Sequence, residues 1–336
     1  MASPQVFLPG TRTEAVDQGY RDAAGRLSRA ILRNRKASIG LLLLAVIVFV
    51  AAFPGLLAPG DPQAAIYDQQ LGPSWSHLLG TTQVGQDVFT QLIWGTRLTL
   101  LITVSVGALC TLISVLVGVT AAYVGGAVDG SLSLLTDIFL IIPTLPLLIV
   151  LSTYLEGSGT FAIIAVLVLT GWAFGARQLR AQGLSLRTRD FLEAARVRGE
   201  RRPYIILVEI LPNMLSLVVA SFLGSAVYTV ATAAGLQFLG LGNSGEITWG
   251  TMLHFAQQNG AIESGNAFWA LAPGAAVALL GTAFALLNYA FDEISNPALR
   301  PVRKVMKADL RDLDTGTTPH AVPRASRYRS SRREGL

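Results

Sequence analysis

The chain has 336 residues, of which 51% are hydrophobic and only 14% are charged, and its mean hydropathy is +0.50. An average soluble domain has about 25% charged residues, so this composition excludes an ordinary soluble protein and favours an all-α integral membrane fold. The net charge of +5 is divided among separate segments without interleaved aromatic side chains, which argues against nucleic-acid binding.

Six long apolar runs predict membrane-spanning helices, because about 20 mostly apolar residues cross roughly 30 Å of hydrocarbon. The first run follows 37 arginine-rich residues. A cleavable signal peptide has a shorter charged start, so we expect an uncleaved first helix. The runs occupy residues 38–58, 98–124, 131–153, 160–177, 214–236 and 271–291.

These runs divide the chain into four parts, and the third part contains a charged loop. We expect the last part, which is basic and rich in serine and arginine near its end, to lack order. The parts are a basic N-terminal segment (1–37), the first helix with the segment that follows it (38–97), a core (98–293) with its loop (178–212), and a basic tail (294–336).

The distribution of lysine and arginine predicts the orientation of the chain. Residues 1–37 carry seven of the 26, the 177–202 loop carries eight, and the tail from Arg300 onward carries ten. The remaining one is Arg97. Because cytoplasmic segments carry the excess of these residues, the sequence predicts that both termini and the loop are cytoplasmic.

The apolar runs are nearly free of ionisable side chains, which ion-coupled transporters place at mid-membrane to bind a proton or sodium. Asp137 lies about a third of the way into the third run, where we expect it to cap its helix or hydrogen-bond near the inner end. Asp292 and Glu293 follow the sixth run. The pattern argues against ion coupling and leaves an external energy source or a passive pore.

Two further features of the runs concern packing. Cys110, the single cysteine, lies inside the second run, where a thiol is expected to pack as a small apolar group. Gly171 and Gly175 in the fourth run have the spacing that permits close approach of two helices.

The sequence carries no recognisable set of catalytic or metal-binding residues. Its three histidines are far apart, so we expect no metal site. The segment 242–245 reads Gly-Asn-Ser-Gly and does not match the Gly-x-Ser-x-Gly turn of hydrolases. A phosphate-binding Gly-x-x-x-x-Gly-Lys-Ser/Thr loop is also missing, so we expect this chain neither to hydrolyse ATP nor to hold a cofactor.

Local signals predict a short helix at 191–198 in the charged loop. Asp190 is suited to cap the free amides at its start, with Glu193 three residues on completing a capping box. Gly199 suits the left-handed position that ends a helix. Eight residues are too few for a stable isolated helix, so we expect a partner surface, approached closely at Ala194 and Ala195 and contacted by the apolar Phe191 and Leu192.

The full pattern of this loop resembles the signature loop of ABC importer permeases. It consists of Glu193-Ala194-Ala195, Gly199 after three further residues, and Leu211-Pro212 at fixed distance. In that family the loop forms a cytoplasmic helix that docks on an ATPase subunit. The resemblance therefore implies an ATPase-coupling role for Asp190, Phe191, Leu192, Glu193, Ala194, Ala195, Gly199, Leu211 and Pro212.

Other motifs resemble one subfamily, the shorter permease of dipeptide, oligopeptide and nickel importers. They read His-Leu-Leu-Gly-Thr at 77–81, Gly-Gln-Asp-Val at 85–88, Gly-x-Arg at 95–97, Phe-Leu-Gly-Leu-Gly at 238–242 and Trp-Gly-x-Met at 249–252. Asp137 and Pro143 also fall where that subfamily's third span has an aspartate and a proline. Three positions depart from the subfamily pattern: Thr82, Gln86 and Glu209.

The resemblance implies a type I permease fold of six helices in a bacterial inner membrane. It implies a second homologous permease, two ATP-binding subunits that hold ATP and magnesium, and an extracytoplasmic solute-binding protein as partners. Imported di- and oligopeptides are the expected substrates. The same machine carrying nickel, glutathione or another small solute stays open, and a passive channel, a secondary transporter or a membrane enzyme is the alternative from a different class.

Overall fold

The computed structural model describes residues 34–154, 159–243 and 245–295. In these ranges the chain is helical, with one isolated β-bridge between Thr81 and Asp87. The helices are α1 (Arg35–Ala52), α2 (Pro54–Leu57), α3 (Val88–Val124), α4 (Gly126–Ile141), α5 (Thr144–Tyr154), α6 (Thr160–Leu186), α7 (Asp190–Val197), α8 (Arg202–Tyr204), a π-helix (Ile205–Ile210), α9 (Leu211–Asn213), α10 (Leu215–Phe238), α11 (Trp249–Gln258) and α12 (Phe268–Ser295).

Five of these helices are long and apolar enough to cross a membrane, or six spans if the bent pair α4–α5 counts as one. The five are α1, α3, α6, α10 and α12. This confirms the predicted all-α membrane fold. The basic segment before residue 34 and the tail after residue 295 lie outside the described residues, so the expectations for them stay predictions.

The third apolar run is not one straight helix, and the expectation of a continuous span over 131–153 is wrong. Helices α4 and α5 meet at 87°. The break falls at Ile142, whose backbone is extended (φ −64°, ψ 128°). Pro143 follows it, and a proline disfavours helical backbone at the residue before it and lacks an amide proton. Hydropathy does not detect this break because both halves are apolar.

Helix α3 begins ten residues before the predicted start at 98. Asp87 caps it by accepting from the Thr90 amide at 2.8 Å. Its first turns contain the polar but buried Gln91 and Thr96, which face other parts of the protein. With 37 residues the helix is about 55 Å long, which exceeds the thickness of the hydrocarbon layer.

The pair α3 and α6 forms the centre of the bundle, and small side chains let the two helices approach closely. A Cβ atom on Gly175 would lie 2.6 Å from Ser114 Oγ and 2.7 Å from Ser221 Oγ. The Ser114 hydroxyl donates to the Trp172 carbonyl at 2.6 Å. The Gly171-x-x-x-Gly175 spacing therefore marks a close contact, as predicted.

The segment 58–87, between α2 and α3, folds back on the start of α3. His77 Nδ1 lies 3.0 Å from Asp87 Oδ1, and Asn266 from the segment before α12 donates to the Thr81 carbonyl at 2.7 Å. Gly85 has φ +81°, and a Cβ there would collide with the Tyr67 carbonyl, so only glycine fits. The motifs at 77–81 and 85–88 thus build one turn that caps α3.

Thr82 and Gln86, two of the positions that depart from the subfamily pattern, take part in this turn. The Thr82 amide donates to the Gln86 carbonyl at 2.8 Å. The Gln86 side chain donates to the Gln63 carbonyl at 3.1 Å and accepts from Gln91 at 2.8 Å. The amide at position 86 therefore holds the 58–87 segment against α3.

The start of α1 is joined to the end of α12. Lys36 forms an ion pair with Glu293, and the Asn34 side chain donates to the same carboxylate at 2.9 Å. Along the same contact, a Cβ on Gly40 would lie 3.0 Å from the Ala283 carbonyl. This contact fixes α1 along α12.

Candidate functional site

The charged loop between α6 and α10 is built from four short elements. Helix α7 comes first, and α8, the π-helix and α9 then follow one another without interruption up to Asn213. Pro203 lies in the first turn of α8, where the missing amide proton costs nothing. Pro212 lies in the first turn of α9, and a new helix starts at Leu215.

Helix α7 begins one residue earlier than predicted, and the prediction of a capping box at its start is wrong. Arg189 occupies the N-cap position and makes no side-chain cap, while Asp190 and Glu193 both lie in the first turn. Carboxylates there favour the helix because its N-terminus carries partial positive charge, typically by about 0.3–1 kcal/mol. These two residues therefore act through charge and not through a capping hydrogen bond.

The end of α7 agrees with the prediction. Gly199 has φ +76°, its amide donates to the Arg196 carbonyl at 2.9 Å, and the Glu200 amide donates to the Ala195 carbonyl at 3.2 Å. These two bonds form the Schellman arrangement, which needs a left-handed residue at the glycine position. Gly199 thus stops the helix and turns the chain towards α8.

One face of α7 is packed into the chain's own bundle. Leu192 and Ala195 are fully buried and join a cluster with Val119, Leu179 and Met214. Burial of a leucine side chain stabilises a fold by about 1.5–3 kcal/mol, which explains how a helix of eight residues is held in place. The expectation that Leu192 and Ala195 face a partner is therefore wrong, because tertiary packing turns that side inward, and Phe191 is half-buried against the same cluster.

The opposite face of α7 is exposed. Asp190, Glu193, Ala194 and Val197 lie on it, and the Val197 side chain is 84% exposed. We call these four residues the outer face of α7. Val197 did not stand out in the sequence, although a spacing of three residues from Ala194 places both side chains on one side of a helix.

The Leu211-Pro212 pair lies where the π-helix gives way to α9. The Leu211 amide donates to the Ile206 carbonyl, five residues back, and Asn213 donates to the Glu209 carbonyl at 2.7 Å. Pro212 is exposed and Leu211 is partly buried. The structure therefore places Leu211 and Pro212 at the C-terminal end of the loop, on a different element from the outer face of α7.

Charged side chains attach α7 to its surroundings. Arg198 lies 3.2 Å from Glu209 on the π-helix, so the departure at position 209 makes a contact within the chain. The Arg196 guanidinium lies 5.5 Å from the centre of the Tyr123 ring, which is a favourable cation–aromatic arrangement. The first contact holds the loop together, and the second joins the loop to the end of α3.

Two further ion pairs join α4 to α6, the helix that precedes this loop. Arg180 meets Asp129 through two hydrogen bonds of 2.5 and 2.8 Å, a bidentate geometry that fixes both side chains. Arg177 pairs with Asp137. Of the two roles expected for Asp137, a helix cap or a hydrogen bond, the structure shows the hydrogen bond, and its partner lies forty residues further along the chain on α6.

Metal-ligating side chains do not converge anywhere in the described part of the chain, where no group of three or more histidine, cysteine, aspartate or glutamate residues could hold an ion. Cys110 is buried in the contact between α3 and α6. The arrangement offers surfaces and a cavity, and we assign no reaction to it.

A bundle of apolar helices, with a short helix of a charged loop packed against it, is typical of a multi-pass membrane protein of the permease class. Residues 114–300, more than half of the chain, match the family model of the binding-protein-dependent transport system inner membrane component. The chain belongs to this family, as a permease component of an ABC transporter. This confirms the resemblance seen in the sequence.

Curated relatives extend the match over most of the chain. A Brucella suis protein that bears the name of a peptide permease is 31% identical over 277 residues, which cover 81% of this chain and 91% of the relative. The Bacillus subtilis dipeptide transport system permease protein DppC is 29% identical over 274 residues, 81% of this chain and 85% of the relative. The Mycobacterium bovis oligopeptide transport system permease protein OppC is 30% identical over 229 residues, covering 67% and 78%.

Proposed function

We propose that the chain is one of two permease subunits of an ATP-driven, binding-protein-dependent importer of di- and oligopeptides. The family membership and the names of its relatives support this role. In it, the chain forms half of the translocation pathway. The expected partners are a second homologous permease, two ATP-binding subunits and an extracytoplasmic solute-binding protein.

The proposal that α7 couples the chain to an ATPase subunit rests on the outer face of this helix. An ordinary solvated loop would gain little from exposing Ala194 and Val197 side by side on a helix whose other face is locked into the bundle. A small residue beside a valine offers a shallow apolar contact to a second protein surface. Asp190 and Glu193 flank this contact with negative charge.

Helix α7 would transmit movement of the ATPase subunits to the membrane helices as a rigid body. ATP-driven closure of the ATPases would displace the outer face, and the buried Leu192 and Ala195 would carry the displacement to α3, α6 and α10 through their shared cluster. Packed interfaces of this type move between discrete arrangements and do not deform continuously. ATP and magnesium would be held by the partner subunits and not by this chain.

The excess of lysine and arginine in 1–37, 177–202 and the tail supports a cytoplasmic position for both termini and the loop. The chain would thus be a multi-pass protein of a bacterial inner membrane. The ATPases would lie on the side of α7, and the solute-binding protein on the side of the 58–87 segment.

Two alternatives remain for the transport role. The same machine could carry nickel, glutathione or another small solute, and the solute that stimulates ATP hydrolysis in the purified complex decides between these. A passive channel or secondary transporter would function without ATPase subunits. The near absence of ionisable groups from the six apolar runs of the sequence favours the ATP-driven machine over an ion-coupled one.

The test is Val197→Asp in the tagged chain. Substitution of an exposed side chain leaves the fold stable to within about 0.5 kcal/mol, but a carboxylate in an apolar docking contact would be desolvated without a partner. We expect recovery of the ATPase subunits in detergent pull-downs, and ATP-dependent peptide uptake, to fall at least about tenfold.

Val84→Asp is the matched control, because Val84 is 57% exposed on the segment before α3. This variant should recover the ATPases as the wild type does, because Val84 lies on the side of the chain away from α7. Unchanged recovery and uptake in Val197→Asp would contradict the coupling role of α7. Purification of the wild-type chain without any ATPase would contradict the importer itself.

A further inference from the structure

A polar cavity of about 430 Å³ lies among α4, α5, α6, α10 and α12. Its apolar wall comes from Phe139 and Leu140 at the end of α4 and from Phe174 on α6. Its polar lining consists of Thr144, Thr170, Gln178, Ser221, Ser225, Tyr228, Asn288 and Asp292. Polar side chains grouped in this way are unusual in helices that are otherwise apolar, and the carboxylate among them, Asp292, is exposed near the end of α12.

The polar lining follows from helix spacing. Ser221, Ser225 and Tyr228 are four and three residues apart on α10, which places them on one face. Asn288 and Asp292 are four residues apart on α12 and also share a face. Gly224 leaves room between the two helices, since a Cβ there would meet nothing closer than the Asn288 Nδ2 atom at 3.8 Å.

Several of these polar atoms have no partner among the described residues. Ser221 Oγ and Asn288 Oδ1 are buried without a hydrogen bond in the described part of the chain, and the whole Ser221 residue is only 7% exposed. Buried polar groups in proteins are nearly always satisfied, so these two atoms beside the cavity are candidate contacts for a ligand. An amide oxygen such as Asn288 Oδ1 can only accept, so the ligand must donate hydrogen bonds.

The charge of the cavity is negative. Within residues 34–154, 159–243 and 245–295, the Asp292 carboxylate has neither an ion pair nor a hydrogen bond, whereas its neighbour Glu293 is engaged by Lys36. The arginines on either side of Gln178 are also engaged, Arg177 by Asp137 and Arg180 by Asp129. A cation that enters the cavity therefore finds a carboxylate that no described basic side chain neutralises.

We propose that this cavity binds the primary ammonium group of a peptide on its way through the pathway. The inference rests on the proposed import of peptides and adds a contact within the membrane to it. An ammonium group donates three hydrogen bonds, which the Asp292 carboxylate, Asn288 Oδ1 and the Ser221 hydroxyl can accept. Asp292 lies beside Glu293, at the end of α12 that is tied to the start of α1, so the charge distribution places this contact near the cytoplasmic exit.

The test is equilibrium binding of radiolabelled trialanine to the complete purified complex in lipid nanodiscs without ATP or the solute-binding protein. We expect Asp292→Asn to weaken binding about tenfold and Asp292→Glu to restore most of it. N-acetyl-trialanine, which lacks the ammonium group, should bind the wild type and Asp292→Asn equally weakly. A primary ammonium group can come from the N-terminus of a peptide or from a lysine side chain, and N-acetyl-Ala-Lys-Ala carries only the second. If this peptide binds in a way that depends on Asp292, a lysine side chain is also accepted.

The control is Glu263→Gln, which removes the same charge from an exposed residue outside the cavity and should bind trialanine like the wild type. Equal affinity of the wild type and Asp292→Asn for trialanine would overturn the proposal, as would the absence of binding to the wild type. An equal loss for free and acetylated peptides would overturn it too, and would point to an ion pair of Asp292 with the second permease. In each of these cases ATP-dependent uptake by the wild type would still support the importer, so the two failures are distinguishable.

Discussion

At the residue scale, single small side chains decide how closely the helices approach. Gly175 lies against Ser114 of α3 and Ser221 of α10, so three helices meet at one residue without a Cβ. The Ser114 hydroxyl uses the same contact to reach the Trp172 carbonyl. Close approach of this kind replaces the hydrophobic driving force, which is weak between helices surrounded by lipid.

Gly175→Ala should destabilise the chain. The added methyl group would lie under 3 Å from two serine hydroxyls, and overpacking of this kind costs about 1–3 kcal/mol. We expect a lower midpoint of thermal unfolding in detergent. Gly281→Ala is the control, because a Cβ at Gly281 meets nothing within 4 Å, and it should be neutral or stabilising by up to about 1 kcal/mol. Equal midpoints for the two variants would contradict the close contact.

At the scale of elements, the sequence predicted what local signals determine. The bounds of α7 were correct to within one residue, because the acidic first turn and Gly199 lie in the sequence itself. Which face of α7 points inward was not predictable, since Leu192 is buried by Val119 and Leu179 from distant helices. The break at Ile142 was missed because hydropathy does not report backbone conformation.

The ion pairs between α4 and α6 could not be predicted from the sequence either, because Asp129 and Arg180 are 51 positions apart. The coupling role assigned to the loop residues and the orientation of the termini stay predictions. What the structure adds is the division of that loop into a buried face with Leu192 and Ala195 and an exposed face with Ala194 and Val197.

The bidentate pair of Asp129 and Arg180 should couple α4 to α6. A double-mutant cycle of Asp129→Asn and Arg180→Gln should give an interaction energy of about 1 kcal/mol, a value reduced for partial exposure of both side chains. The measurement is chemical or thermal unfolding of the purified chain. Arg180→Lys keeps the charge but loses the fork geometry, so it should retain only part of the coupling. Additive single effects would show that the pair contributes nothing.

At the scale of the whole molecule, the described helices form one path from α7 to the polar cavity. Helix α7 is fixed to α3, α6 and α10 by its buried side chains, and α6 and α10 also line the cavity with Gln178 and Ser221. A displacement of α7 would therefore reach the cavity lining through two continuous helices. The proposed importer, in which ATP hydrolysis takes place outside this chain, would use this connection.

Site-directed photo-crosslinking tests the docking of the outer face of α7 most directly. Cys110 is buried, so a cysteine introduced as Val197→Cys can be labelled selectively with a benzophenone maleimide in the purified chain before the complex is assembled. The account predicts a light-dependent adduct with an ATP-binding subunit, and none from Val84→Cys on the 58–87 segment. An adduct with lipid or with this chain alone from Val197→Cys, in a complex that still contains the ATPases, would contradict it.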